Sequence, residues 1–207
     1  FGKKYPKYFR QQHVHYYHEQ SPDELALINY TSGTTSNSKG VMLPFRALWS
    51  NYQFAIEVLG KQVHRGDSVI SMLPLAHMYG MAFEFIFEFI HGCHVYYLTR
   101  IPSPKIVLKA FGEIKPVIVI SVPLIIEKII KKNVLPKLQT PSMKVLLKLP
   151  FISGRILDKV RQGLIEAFGG NFYEIIIGGA AFNSEVEDLL NKIHFPYTVG
   201  YGATECA

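Results

Sequence analysis

Cysteine is scarce in this 207-residue chain: Cys93 and Cys206 are the only two. Two thiols supply no disulfide framework, which excludes the stapled secreted class and suits a reducing cytosol. Long apolar runs are also missing. The longest, 116–126, contains two prolines and is too short to cross a bilayer. The opening residues, Phe-Gly-Lys-Lys-Tyr-Pro, hold no initiator methionine and no signal-peptide hydrophobic core. Acidic residues are the minority, 16 against 22 Lys and Arg, for a net charge of +6. That excess would suit nucleic acid, but no nucleic-acid-binding motif accompanies it, so no such partner is expected. Internal repeats and low-complexity tracts are absent. What remains is 48% hydrophobic, enough for the core of one domain or a large part of one.

The most informative segment is 31–40, Thr-Ser-Gly-Thr-Thr-Ser-Asn-Ser-Lys-Gly, directly after the apolar run Leu-Ala-Leu-Ile-Asn-Tyr at 25–30. Hydroxyls, glycines and one lysine can wrap backbone N–H groups around phosphate oxygens while Lys39 adds a compact charge. The common nucleotide loop is excluded, because Gly33 stands six positions before Lys39 and a glycine, not Ser or Thr, follows the lysine. A polar surface loop remains the plainer alternative. Cys206 is read as packing rather than as a nucleophile.

Short apolar segments alternate with amphipathic ones. Strands are expected at 25–31, 68–73, 93–98, 117–121, 173–178 and 197–201, and helices at 44–61, 79–91, 103–114, 122–135, 154–168 and 184–192. Such alternation implies an α/β fold, a mostly parallel sheet with helices on both faces. Segment 136–153, with three prolines, is expected to be an irregular connection. Ligands of such sheets bind outside the carboxyl ends of the strands. The decapeptide, the turn Gly-Gly-Ala-Ala at 178–181 and the run Tyr-Gly-Ala-Thr-Glu at 201–205 all fall at expected strand ends, on one edge of one sheet.

Together these motifs resemble the adenylate-forming superfamily of acyl-CoA synthetases, luciferases and peptide-synthetase adenylation domains. That family carries a phosphate loop close to Tyr-Thr-Ser-Gly-Thr-Thr-Gly-x-Pro-Lys-Gly and a later motif close to Tyr-Gly-x-Thr-Glu. The segment Leu-Pro-Leu-Ala-His-Met-Tyr-Gly at 73–80 resembles the long-chain fatty acyl-CoA synthetases most. The resemblance runs from about Asp23 to Ala207. It implies ATP, Mg2+ and coenzyme A as cofactor and co-substrates, and a carboxylic acid, most closely a fatty acid, as substrate.

The resemblance also assigns roles. Thr31, Ser32, Gly33, Thr34, Thr35, Ser36 and Lys39 would hold the β- and γ-phosphates. Glu205, with Thr31, would hold magnesium; one carboxylate plus phosphate oxygens suits that ion. Thr204 would donate to the α-phosphate. Tyr201 would stack on adenine, with Gly202 beside it and Gly179, Ala180 and Ala181 lining the base. His77 would sit beside the substrate carboxylate. By residue chemistry alone, His77 reads as a packed residue and Tyr201 as a core aromatic. The run after His77 is apolar around most of a helix, with Glu84 and Glu88 as one polar stripe; it reads as a buried helix or as one wall of an alkyl channel.

Segment 128–161 holds nine Lys or Arg and one acidic residue, Asp158. Its alternatives are a solvated helix face or a peripheral seat on the inner face of an anionic membrane. His13, His15 and His18 follow no zinc spacing. Two departures stand out. Ser36 and Ser38 replace the family's Gly and Pro in the loop. The family's ribose-binding Asp, hinge and C-terminal-domain Lys would lie beyond Ala207, and its first segment before Phe1. The expectation is therefore the central part of a large N-terminal AMP-binding domain, inactive alone and prone to self-association through apolar surface. Alternatives are an adenylate-forming ligase for an aryl or amino acid, or a nucleotide- or lipid-binding module without catalysis.

Overall fold

The computed structural model describes residues 21–31 and 38–206. An antiparallel ribbon comes first, β1 (Leu25–Thr31) with β2 (Lys39–Pro44), and α1 (Phe45–Leu59) follows it. Next are β3 (Ser68–Ser71), α2 (Met78–Met81), a π-helical turn (Ala82–Ile86), α3 (Phe87–His91) and β4 (His94–Tyr97). Helix α4 (Pro104–Ile114), β5 (Ile118–Ser121), α5 (Pro123–Asn133), α6 (Leu135–Leu138), α7 (Pro141–Leu146) and α8 (Pro150–Ala167) continue the chain. It closes with β6 (Glu174–Ile177), α9 (Ser184–Lys192), β7 (Tyr197–Val199) and a 3-10 turn at Thr204–Cys206.

Strand β3 pairs with β4, and β5 with β6 and β6 with β7, all parallel. Strand β3 also lies beside β5, where the Val117 N–H donates to the Ser68 carbonyl at 3.0 Å. The lateral order is therefore β4-β3-β5-β6-β7. The chain winds outward from β3 to β4, returns past β3 to β5, then winds the other way. That reversal makes a crevice between the carboxyl ends of β3 and β5, the usual ligand position of a doubly wound sheet.

Alternate side chains along each strand enter different cores, as a period of two requires. Ile70, Met72, Val119, Ile175 and Ile177 pack with α4, α5, α8 and α9. Val69, Leu73, Ile118, Ile120 and Ile176 pack with α1, Phe87 and Phe83 on the opposite face. Both faces are covered, which is why these strands read as continuous apolar runs. The expected α/β class with helices on both faces holds.

Three expectations need correction. The decapeptide does not end a strand of the parallel sheet: its described ends, Thr31 and 38–40, belong to the antiparallel β1–β2 ribbon, whose second strand the sequence pattern does not announce. The register places Thr31 opposite Lys39. Segment 136–153 is not irregular. Pro136, Pro141 and Pro150 each stand in the first turn of a helix, where a missing N–H costs nothing and the fixed φ helps. Helix 79–91 is interrupted by the π-helical turn, which adds a residue to one turn and shifts the helix phase.

A candidate active-site cleft at the switch point

A cleft of about 760 Å³ opens at the β3/β5 reversal. One wall comes from the segment after β3, with Leu73, Pro74, His77 and Tyr79. Another comes from Gly178 and Gly179 after β6, and a third from 200–204 after β7. Phe54, Val58 and Phe83 close it from α1 and the π-helical turn.

Tyr79 fixes the middle of this arrangement. Its hydroxyl donates to the Ile176 carbonyl at 3.0 Å and approaches the Ser121 carbonyl at 3.4 Å, so it bridges β5 and β6. Burial, then the charge of Glu84, pushes its pKa well above the ordinary tyrosine value, so it stays a neutral donor. Gly178 lies under the ring: a Cβ there would sit 3.0 Å from Tyr79 Cζ. Gly179 turns the chain with φ of +87°, a region glycine enters without strain.

The cleft gathers His77, Gly179, Tyr201, Gly202 and Thr204 from separate stretches of chain. The Tyr201 ring is 100% exposed, so it is no core aromatic. His77 is also exposed, at the N-cap of α2, without a side-chain capping bond. Ala180 and Ala181 follow in the same turn and are exposed, but do not line the cleft.

Lys39 and Glu205 stand outside the cleft lining, both exposed. The Thr204–Cys206 turn packs against β2, the strand that Lys39 opens with Thr31 across from it. Thr31, Lys39 and Glu205 thus belong to adjoining elements at one rim. A hydroxyl and a carboxylate there are hard oxygen donors and fit magnesium alongside phosphate oxygens. Ser38 Oγ donates to the Thr31 carbonyl at 3.1 Å, across the end of the β1–β2 ribbon. Ser32, Gly33, Thr34, Thr35 and Ser36 lie outside the described residues, as do His13, His15 and His18. Among the described residues no group of three metal-ligating side chains occurs.

Sequence reasoning assigns no role to three buried polar residues. Glu84 is 0% exposed, and its Oε2 accepts from Leu73 N–H at 2.7 Å, Met72 N–H at 3.0 Å and Ser71 Oγ at 3.2 Å. Burial raises its pKa to about 7, against the pull of those donors. Glu88, 1% exposed, is pushed to about 9 by burial and by Glu84. The polar stripe therefore faces the core. Asn29 Nδ2 donates to the Ala76 carbonyl at 2.7 Å, tying β1 to the loop that carries His77. Two glutamates one turn apart in a phenylalanine-rich helix are the signal in the sequence for the pair; nothing marks Asn29. Cys93 is a free thiol pushed up to about 11 by burial, Glu88 and Asp67, which makes it a poor nucleophile.

A family model described as AMP-binding enzyme matches residues 3–207. Long-chain-fatty-acid–CoA ligase 3 of Saccharomyces cerevisiae is 30% identical over 205 residues, covering 91% of this chain and 29% of the relative. Long chain acyl-CoA synthetase 5 of Arabidopsis thaliana is 29% identical over 213 residues, covering 91% and 31%. The chain thus spans about three tenths of the length of these relatives. Among solved structures, ATP-bound MatB from Rhodopseudomonas palustris superposes with a TM-score of 0.63 at 23% identity, over 90% of this chain and 30% of that one. An o-succinylbenzoate CoA synthetase from Bacillus subtilis, in complex with its acyl-adenylate intermediate, gives 0.64 at 21%, over 90% and 31%. At those identities the structures show the fold.

Proposed function

The chain belongs to the AMP-binding enzyme family, and from that premise we propose that the protein containing it activates a long-chain fatty acid with ATP and transfers it to coenzyme A. In the first half-reaction a carboxylate oxygen attacks the α-phosphorus, the bond to the β-phosphate breaks, and pyrophosphate leaves. In the second the coenzyme A thiol attacks the acyl carbon and AMP leaves. Little covalent work falls to the protein in the first step; placement and charge stabilisation dominate.

The observation that carries this reading is the cleft itself. It joins a glycine turn and an exposed tyrosine, suited to a planar base, to His77 and to an apolar wall of Phe54, Val58 and Phe83. On this reading Tyr201 stacks on adenine, Gly179 and Gly202 admit its edge, and Thr204 donates to the α-phosphate. Ala180 and Ala181 extend the base platform past the cleft. Lys39 and the loop hydroxyls, Ser36 included, hold the β- and γ-phosphates. Glu205 and Thr31 hold magnesium, which neutralises phosphate charge when bound. His77 faces the acid, whose tail runs along the apolar wall. Residues 1–207 are the central part of an N-terminal AMP-binding domain, and adenylation needs the rest of the protein.

The aromatic share of that wall favours one competitor, a ligase for an aryl acid. Exchange of labelled pyrophosphate into ATP across fatty, aryl and amino acids tests the choice. Fatty acids are expected to support it, and exchange with aryl or amino acids alone would overturn the fatty-acid reading while keeping the family chemistry.

We also assign this protein a cytoplasmic, membrane-peripheral position. No helix among the described residues is long and apolar enough to cross a membrane. At the α7–α8 corner, however, Phe151 is 91% exposed and Val145 and Leu149 are exposed beside Lys144, Lys148 and Arg155. Apolar side chains ringed by cations suit an anionic lipid surface, where fatty acids partition.

A further inference from the structure

We propose that Glu84 and Asn29 are positioning residues that clamp segment 72–77 near its two ends and so set where His77 stands in the cleft. The inference rests on the adenylation reading for its catalytic meaning, though not for its geometry.

Glu84 is a carboxylate with no exposed surface and, among the described residues, no cation paired with it. Burying such a group is costly unless hydrogen bonds satisfy it. All three of its donors belong to consecutive residues, Ser71, Met72 and Leu73, where β3 ends and the cleft segment starts. A parallel strand pairs with its neighbours only as far as the register runs, and β3 pairs with β4 through Ser71. The next two N–H groups have left the ladder, and Glu84 takes both. The π-helical turn at Ala82–Ile86 carries that carboxylate, and π turns inside helices recur at functional positions.

Asn29 holds the other end. It is 7% exposed and donates to the Ala76 carbonyl, one residue before His77. Between these anchors the segment closes on itself, His77 N–H donating to the Pro74 carbonyl at 3.0 Å. The His77 carbonyl then accepts from Met81 N–H at 2.9 Å, starting α2. Among the described residues, the hydrogen bonds at His77 itself are made by backbone, and the side chains that bond the backbone of 72–76 are Glu84 and Asn29. Asn29 has a second consequence. It lies on β1 two residues before Thr31, so one side chain fixes the phosphate-loop ribbon to the loop of the residue facing the acid. Both reactants are thereby held to one frame, which matters because a displacement of about 1 Å can cost roughly 10²-fold in rate.

The test uses the full-length protein, fatty acid and pyrophosphate exchange. Glu84→Leu, which removes the acceptor, and Asn29→Ala are each expected to lower kcat by about 10–100-fold with the KM for ATP changed far less. Glu84→Gln keeps an acceptor oxygen at the same place and is expected to retain most of the rate. In a His77→Ala background Glu84→Leu is expected to cost less than about twofold more, since residues acting through one another do not add. Merely structural damage would add fully in that background, and full additivity, or unchanged kcat in both single variants, overturns the proposal. Asn29→Asp, the same size without the donor, is expected to match Asn29→Ala. Amide exchange gives an arm independent of activity: Met72 and Leu73 amides are expected to exchange faster in Glu84→Leu, and His77 in Asn29→Ala. If the wild type exchanges pyrophosphate with no acid, the adenylation reading fails. The clamp is then decided by the amides alone, and unchanged protection across 72–77 in both variants overturns it.

Discussion

Replacing Glu88 by Gln should stabilise this domain at alkaline pH and leave it unchanged in acid. Glu84 and Glu88 lie one helical turn apart, both without meaningful exposure, and burial raises them from 4.5 to about 7 and about 9. Oε1 of Glu84 and Oε2 of Glu88 are buried without partners among the described residues, so neither charge is fully compensated. A carboxyl whose folded value is raised keeps its proton in the fold after the unfolded chain has lost it. Stability from such a group is fully present below 4.5 and drains away as pH rises, for Glu84 up to about 7 and for Glu88 up to about 9. Each retained proton gives a slope of about −1.4 kcal/mol per pH unit, so the Glu88 window amounts to about 6 kcal/mol at most and the Glu84 window to about 3. Glu88→Gln copies the protonated shape and removes the larger share. Native-state amide exchange at Val69, Ile70, Val119 and Ile120 reads the opening free energy of the surrounding core. Taking the variant minus the wild type at each pH cancels the intrinsic exchange chemistry. The difference is expected below about 1 kcal/mol at pH 5 and at several kcal/mol in favour of the variant at pH 8. Equal protection at pH 8, or a variant weaker there than the wild type, would refute the buried-acid account.

Glu205→Gln keeps shape but removes the charge at the rim, and a 10²–10³-fold fall in adenylation, about 2.7–4 kcal/mol, is expected from pyrophosphate-exchange kinetics. Lys39→Met should weaken ATP use with an unchanged melting temperature, since Lys39 is exposed. Gly178→Ala would put a methyl 3.0 Å from Tyr79 Cζ; displacing that ring off the Ile176 carbonyl should cost about 1–3 kcal/mol, visible as a lower melting temperature. Phe151→Asp should abolish flotation with vesicles containing phosphatidylserine without changing adenylation of a soluble short-chain acid. Undiminished flotation would remove the membrane seat.

The sheet is legible in the sequence because its strands are buried on both faces. Runs such as Ile118–Ser121 and Glu174–Ile177 are short, β-branched and bounded by turn residues. Helix α9 is legible at both ends, because Asn183 caps it, acidic residues fill its first turn and Lys192 stands in its last. Long-range pairing escapes such reading. Strand β2 has glycine, methionine and proline and little strand propensity of its own; it exists because β1 lies across from it. The prolines of 136–153 read as breakers although each stands in the first turn of a helix, a distinction set by the residues on the C-terminal side of each proline. At the site, motif residues can be named because their chemistry is local. His77, Gly179, Tyr201, Gly202 and Thr204 do meet in one cleft, while Lys39 and Glu205 belong to adjoining elements through a ribbon the sequence does not reveal. Glu84 and Asn29 cannot be given roles in advance, because each bonds backbone atoms at residues distant in sequence.

The central claim is that this cleft adenylates a fatty acid, and pyrophosphate exchange by the full-length protein tests it most directly. With ATP, magnesium and a long-chain fatty acid, label should enter ATP, and the rate should collapse in Glu205→Gln. No exchange with any fatty acid from short to long chain, by folded protein that binds ATP, would contradict it.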